Sequence, residues 1–378
     1  MTDLHIIKKG NIVTFNRTYL HMIAILSVLV VALAACSSGE ETSAEAGEDL
    51  VLGDETVADA ALIDAAREEG SLVVYSGNSE EVELAVQEEF TADTGIEVEN
   101  VRLPSGRLLE RVLTEAGAGQ LAADVIRISD QSFIEQIKEA GVLEEHEVPS
   151  DDVIDDQYKD PDGQWYASII SLMGITSHTD LVDEADAPTS YEDLLDEQWK
   201  GSIGFTHVGA GGSAWSVALM TRQKFGVEYW EALAAQDPSI YTSAATAAEE
   251  QARGEYQVGI NHLGTVSTAI EQGAPLRFDF PEDGVASYPY YLSIVAESDN
   301  PNAARVFVNW SMSQRGGSVT AETAGEYSPH PDAALPTLGG EPLPALDELN
   351  LHEYEADDWI SLREPWSKEW NELYGYTP

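Results

Sequence analysis

An α/β protein of two lobes is what this chain predicts, and three observations carry that reading. The first is the stretch SLVVYSGNSEEVELAVQEEFTADTGIEVE, from Ser71 to Glu99. Leu72-Val73-Val74-Tyr75 reads as a strand buried on both faces, and it stops at the turn-forming Ser76-Gly77-Asn78-Ser79. Val82, Ala85, Val86 and Phe90 then recur at helical spacing, with Ser79 as N-cap and Thr94-Gly95 as the stop, before Ile96 to Val101 resumes a strand. That strand–loop–helix–strand unit is the building block of an open parallel sheet. The second observation is that the alternation continues through Ala303. The third is size: 378 residues, 43% of them hydrophobic, with a mean hydropathy of -0.20, are enough for two lobes with a core each.

At the N-terminus, Lys8, Lys9 and Arg17 precede an apolar run from Tyr19 to Ala35 that ends in Leu33-Ala34-Ala35-Cys36-Ser37. Small residues before a cysteine resemble the lipobox of bacterial lipoproteins, so residues 1–35 are read as a signal peptide, with lipidation at Cys36. An uncleaved membrane anchor is the other reading of the apolar run. Cys36 is the single cysteine, which suits acylation better than an internal disulfide or a metal cluster. Residues 36–59, rich in Ser, Gly, Ala and Glu, read as a disordered acidic tether.

A helix over Ala58–Glu69 leads into the opening unit. Pro104-Ser105-Gly106 opens a helix from Arg107, with Leu108, Leu109, Val112 and Leu113 as its core stripe. Ala123 to Ile128 is a strand ending at Ser129-Asp130, followed by a helix from Phe133 to Ala140. The acidic run Asp151–Asp162 lacks the spacing of a calcium loop and reads as a solvated turn. Ser168 to Thr176 is a strand passing into the second lobe. Gly209 to Ser213 opens a helix over Ala214–Phe225, Tyr256–Ile260 is a strand ended by Asn261-His262, and Thr265–Gln272 is a helix. The division is 60–168 for the first lobe, 169–280 for the second, 281–326 for the return, and 327–378 for a tail whose closing helix runs from Trp359 to Leu373.

LVVYSGNSEE with its helix and TGIEVE, Trp199-Lys200-Gly201-Ser202-Ile203 after Asp193-Leu194-Leu195, and Asn300-Pro301-Asn302-Ala303-Ala304 together resemble the ferric-type solute-binding proteins of bacterial ABC importers. The resemblance spans about Leu72 to Ser313. It implies a type II periplasmic-binding-protein fold, with a hinge and a cleft between the lobes. It implies a clamp that closes on a solute outside the cytoplasm, performs no chemistry on it, and delivers it as a monomer to permease and ATPase subunits. The family's iron binders use two adjacent tyrosines, a histidine and a carboxylate. Where those tyrosines lie this chain has Leu263-Gly264, and where the histidine lies it has Asn78 and Ser79.

Three Gly/Ser loops open helices and offer free N–H donors at a positive dipole end: Ser76–Ser79, Ser105-Gly106-Arg107, and Gly209–Ser213 with Gly211 and Gly212. Capping alone also explains such loops. Arg107 is a cation in a first helical turn, opposing the dipole, so an anionic ligand would account for it; a surface pair with Glu110 is the alternative. Ser129, Asp130, Asn261 and His262 lie at strand ends, and Tyr288 and Tyr291 lie near the return crossing beside Tyr290. These residues fit a phosphorylated or carboxylated organic anion. Ferric iron held by His262, Tyr288 and Tyr291 is the alternative.

Net charge is -49, from 68 acidic and 19 basic residues, which argues against nucleic acid or anionic membrane surfaces as general partners. A high-salt habitat is the proposed reason for the excess. Enzyme motifs fail: Gly211-Gly212-Ser213-Ala214-Trp215 lacks the last glycine of G-x-S-x-G, no H-E-x-x-H occurs, and the Gly209 run lacks a P-loop lysine. A hydrolase on this scaffold is therefore the weakest reading, and no cofactor motif is found.

Overall fold

In the computed structural model of the chain, the described residues are 47–352 and 354–377. The signal segment and Cys36 lie outside them. Among the described residues no helix is long and apolar enough to cross a membrane.

The chain opens on a hairpin, β1 (Leu50–Leu52) and β2 (Glu55–Ala58), paired antiparallel. This corrects the tether expected to reach residue 59. The segment's acidic composition conceals a small apolar cluster: Leu50, Val57 and Ala58 are buried in one core with Ile63, and Gly53 takes the left-handed turn at φ 64°. Asn309 Nδ2 ties the hairpin down by donating to Val57 O at 2.9 Å.

Helix α1 (Ala60–Glu69) precedes β3 (Ser71–Ser76), α2 (Glu80–Thr94), β4 (Glu97–Arg102), α3 (Ser105–Gly117), β5 (Val125–Ile128) and α4 (Gln131–Glu139). The opening unit forms as its sequence dictates. Ser79 Oγ accepts from Val82 N at 3.4 Å, Glu80, Glu81 and Glu83 occupy the positive first turn of α2, and Gly95 ends the helix at φ 81°. Strand β6 (Tyr166–His178) is 13 residues long and buried throughout. Then come β7 (Ile203–Thr206), α5 (Gly212–Phe225), α6 (Val227–Ala235), β8 (Ser239–Tyr241), α7 (Ala244–Ala252), β9 (Val258–His262), α8 (Leu263–Glu271), β10 (Leu276–Asp279) and β11 (Ser287–Ile294). Helices α9 (Pro301–Met312) and α10 (Gln314–Ala324), a small hairpin, and helices α11 (Ala356–Ser361) and α12 (Arg363–Tyr374) complete the chain.

The main sheet runs β4-β3-β5-β11-β6-β9-β7-β8, with β10 on β6. Strands β3, β4 and β5 are parallel on one side, and β7, β8 and β9 are parallel on the other. The antiparallel pair β6 and β11 lies between them, Tyr288 opposite Ser171, so those two strands are shared by both lobes. An extra bridge from Tyr327 to Ile170 adds a third crossing beside them. One core packs Phe90, Phe307 and Trp310 in the first lobe, and another packs Trp215, Trp230 and Tyr229 in the second.

The single closing helix expected from Trp359 to Leu373 is two helices. Pro365, in the first turn of α12, has no N–H to give Ser361 O, and its ring excludes that carbonyl.

Candidate ligand cleft

The carboxyl ends of β3, β5 and β9 and the starts of α3 and α5 meet between the lobes. Gly77 N donates to Arg127 O at 2.8 Å, holding the opening loop against β5. Beneath it Arg127 Nη1 donates to both oxygens of Glu83 at 2.8 Å, a fully buried pair, and Ser76 Oγ donates to Glu83 Oε1 at 2.8 Å. Asn78 is buried; its N donates to Ser76 Oγ, its Oδ1 accepts from Ser79 N, its O accepts from Arg102 Nε, and its Nδ2 has no partner among the described residues.

The three loops face one another at close range. Ser105 and Ser129 hydroxyls are 2.9 Å apart, and Ser129 N donates to Ser105 Oγ at 3.3 Å. A Cβ on Gly77 would lie 2.4 Å from Ser105 Oγ. One on Gly211 would lie 3.2 Å from Ser129 Oγ, and one on Gly212 would lie 1.7 Å from Ser129 O and 3.3 Å from Tyr288 Cδ2. Glycine is needed there because the first turn of α5, from the second lobe, rests on the first lobe's β5 loop. Gln272 Nε2 donates to Glu81 Oε1 at 2.7 Å, joining the lobes at a further point. Gly106 faces open space, and Ser213 O is taken by Ser216 Oγ. Arg107 is exposed and has no ion pair among the described residues; the first-turn pair with Glu110 does not form, and Arg111 instead pairs with Glu115 at 2.7 Å.

Asp130, Asn261 and Tyr291, expected in the cleft, are placed otherwise. Asp130 caps α4, its Oδ1 accepting from Ser132 N and Trp359 Nε1, and its Oδ2 lies 3.2 Å from Arg363 Nη2. Asn261 is used internally, Oδ1 accepting from His262 N and Nδ2 donating to Ala244 O. Tyr291 points to the opposite face of β11, into the first-lobe core, with its ring edge-on to Trp165 at 4.8 Å. Side chains of a strand alternate, so Tyr290, not Tyr291, shares the face of Tyr288. The two rings are 5.5 Å apart, and burial raises both phenols well above their ordinary 10, so they are neutral donors.

His262 caps α8, accepting from Thr265 N at 3.4 Å, and its ring meets Tyr288 edge-on. Its Nδ1 is 3.4 Å from Glu326 Oε1. Glu326 was not foreseen. It follows α10, is 1% exposed, accepts from Ser171 Oγ at 2.9 Å, and leaves Oε2 without a partner among the described residues. The signal that could have found it is Gly325 in the left-handed region, φ 62°, which turns the chain back toward the hinge.

Among the described residues no group of three or more His, Cys, Asp or Glu is arranged to hold a metal ion. An apolar cavity of about 40 Å³, lined by Met173, Val217, Trp230, Ile260, Trp370 and Tyr374, lies inside the second lobe. It has room for little beyond a water molecule or two, too little for a solute.

With this geometry in place, the family is plain: residues 121–353 match the bacterial extracellular solute-binding proteins, and the chain belongs to that family. It is 25% identical over 262 residues to a Haemophilus influenzae protein described as uncharacterized, covering 66% of this chain and 75% of that one. It is 29% identical over 147 residues to iron uptake protein A1 of Synechocystis, covering 38% and 40% of the two chains. The fold matches the periplasmic binding protein AfuA from Actinobacillus pleuropneumoniae, solved with exogenous fructose-6-phosphate, with a TM-score of 0.71 at 23% identity over 82% of this chain and 100% of that one. It also matches iron-bound HitA from Pseudomonas aeruginosa, with a TM-score of 0.66 at 20% identity over 79% and 99%. The chain is thus a bacterial extracellular solute-binding protein by family, and its fold is that of the two-lobed periplasmic binding proteins.

Proposed function

We propose that the cleft captures a small anionic organic solute, phosphorylated or carboxylated, and passes it to the permease unchanged. One observation carries this: the starts of α3 and α5 converge on Ser129 beside Gly77, with Arg107 unpaired in the first turn of α3. Helix starts offer N–H donors and a positive end to an anion, and a guanidinium adds a forked pair of charged bonds. The net charge does not forbid it, because salt screens distant carboxylates while donors act at contact. The AfuA complex with fructose-6-phosphate makes a sugar phosphate the first compound to try.

Thermal unfolding with fructose-6-phosphate, citrate, inorganic phosphate and ferric citrate tests the reading. A solute at a hundred times its dissociation constant adds about 2.7 kcal/mol to stability. Stabilisation by sugar phosphates or citrate supports the anion; stabilisation by ferric citrate alone overturns it. Arg107→Ala should weaken that binding about tenfold or more, the loss of one charged hydrogen bond. Unchanged affinity in titration calorimetry would remove Arg107 from the site.

Iron remains the second reading, favoured by Tyr288, Tyr290, His262 and Glu326 lying together at the hinge. Tyr291 has no part in it. We also read the protein as a monomer anchored by lipid at Cys36, with mass spectrometry of the native N-terminus as the test.

A further inference from the structure

The C-terminal segment runs behind the cleft and touches both lobes. Trp359 of α11 donates from Nε1 to Asp130 Oδ1 at 3.1 Å, at the first-lobe loop after β5. Its backbone oxygen accepts from Trp215 Nε1 of α5, in the second lobe, also at 3.1 Å. Arg363 of α12 is placed likewise. Its Nη2 lies 3.2 Å from Asp130 Oδ2, and its guanidinium stacks 5.0 Å from the Trp215 ring and 5.9 Å from the Phe133 ring of α4. Arg363 Nη1 has no partner among the described residues, so this buried charge is balanced through Asp130 alone. Tyr354 OH donates to Ser216 O at 2.9 Å. Farther along, Asn371 meets His207 at 2.9 Å and Tyr376 stacks on its ring at 3.9 Å.

Each partner adjoins a ligand loop: Asp130 follows Ser129, and Trp215 follows Gly211-Gly212-Ser213. We propose that the segment 354–376 is a strap that couples the lobes and limits their opening, with Trp359 and Arg363 positioning the loops at Ser129 and Gly211. The strap must lose one of these bonds if the lobes part at this point, because one residue, Trp359, is bonded to both, through its indole on one side and its backbone oxygen on the other. A buried guanidinium left without its carboxylate is costly, so the paired arrangement, lobes together, is favoured even without a solute. Affinity then rises, since less of the binding energy goes into closure.

The test is an interlobe distance measured on the full chain without solute. Spin labels on Glu88→Cys in α2 and Glu271→Cys in α8, both exposed positions, in a Cys36→Ser background, report it by pulsed electron resonance. The parent chain should give one short, narrow population. Arg363→Ala, and separately Trp359→Phe, which keeps an aromatic ring and loses the donor, should each add a longer population. A distance distribution unchanged in Trp359→Phe overturns the strap, even where melting falls, because lost packing alone lowers stability without moving the lobes. If Arg363→Ala does not fold, Trp359→Phe decides.

Discussion

At the scale of single residues, the contact of α5 with the loop after β5 hangs on an atom that is absent. A methyl at Gly212 would sit 1.7 Å from Ser129 O, inside any contact distance, and the obstacle is backbone. Overpacking of this kind costs typically about 1–3 kcal/mol, and here the cheapest relief is for the lobes to separate. Gly212→Ala is therefore expected to weaken solute binding by tenfold or more with little change in urea midpoint. A large midpoint loss with unchanged affinity would mean the glycine serves the second lobe's fold instead.

His207 supplies a pH effect whose sign follows from its bonds. Gly209 N donates to Nδ1 at 3.2 Å, so that nitrogen is an acceptor and the ring is neutral, with Nε2 donating to Asn371 Oδ1 at 2.9 Å. Burial lowers its pKa from the ordinary 6.5, the Asn371 bond opposing and Arg363 adding to the fall. The unfolded chain takes up a proton near 6.5 and the folded chain only below that, so this stability is present above 6.5 and is lost as pH drops through the folded value. His207→Gln should flatten the fall in melting temperature between pH 7 and pH 5. An identical slope in both proteins would show that His207 is not the group involved.

Among elements, α2 and its loop form the most legible unit because all of its instructions are local: cap, first-turn carboxylates, apolar stripe, terminal glycine. The Tyr288 and Tyr290 face is legible too, by alternation alone, which puts Tyr291 on the opposite face with Trp165. Glu326 and Asp130 were not legible. Their roles depend on Ser171, His262, Trp359 and Arg363, contacts made far along the chain that no window of sequence contains. The hairpin at 50–58 is obscured because tether-like composition outweighs five apolar residues, of which Leu50, Val57 and Ala58 are buried.

The element most exposed to disruption is the base of the opening loop. Glu83 binds Arg127 and Ser76 at once, and Gly77 hangs from the Arg127 backbone. Glu83→Gln leaves a buried guanidinium without its countercharge, which is expected to cost about 3–5 kcal/mol in urea unfolding. A loss below about 1 kcal/mol, the worth of an exposed pair, would contradict the burial drawn here.

For the whole molecule the governing number is the net charge of -49, from 68 acidic residues against 19 basic. Salt acts on it in two opposed ways. It weakens surface pairs such as Arg253 with Glu249, and Arg315 with Glu89. It also screens the repulsion among the many carboxylates left over. Exposed pairs contribute only about 0–1 kcal/mol each, and basic residues are too few to neutralise the acidic ones. Repulsion should win. Moving from about 0.1 M to 1 M salt shortens the screening length from about 10 Å to 3 Å, so the melting temperature is expected to rise across that range. Sodium chloride and potassium chloride should act alike, since screening depends on ionic strength and not on a bound cation. A flat or falling curve would make the acidic surface irrelevant to folding, and with it the inference of a high-salt habitat.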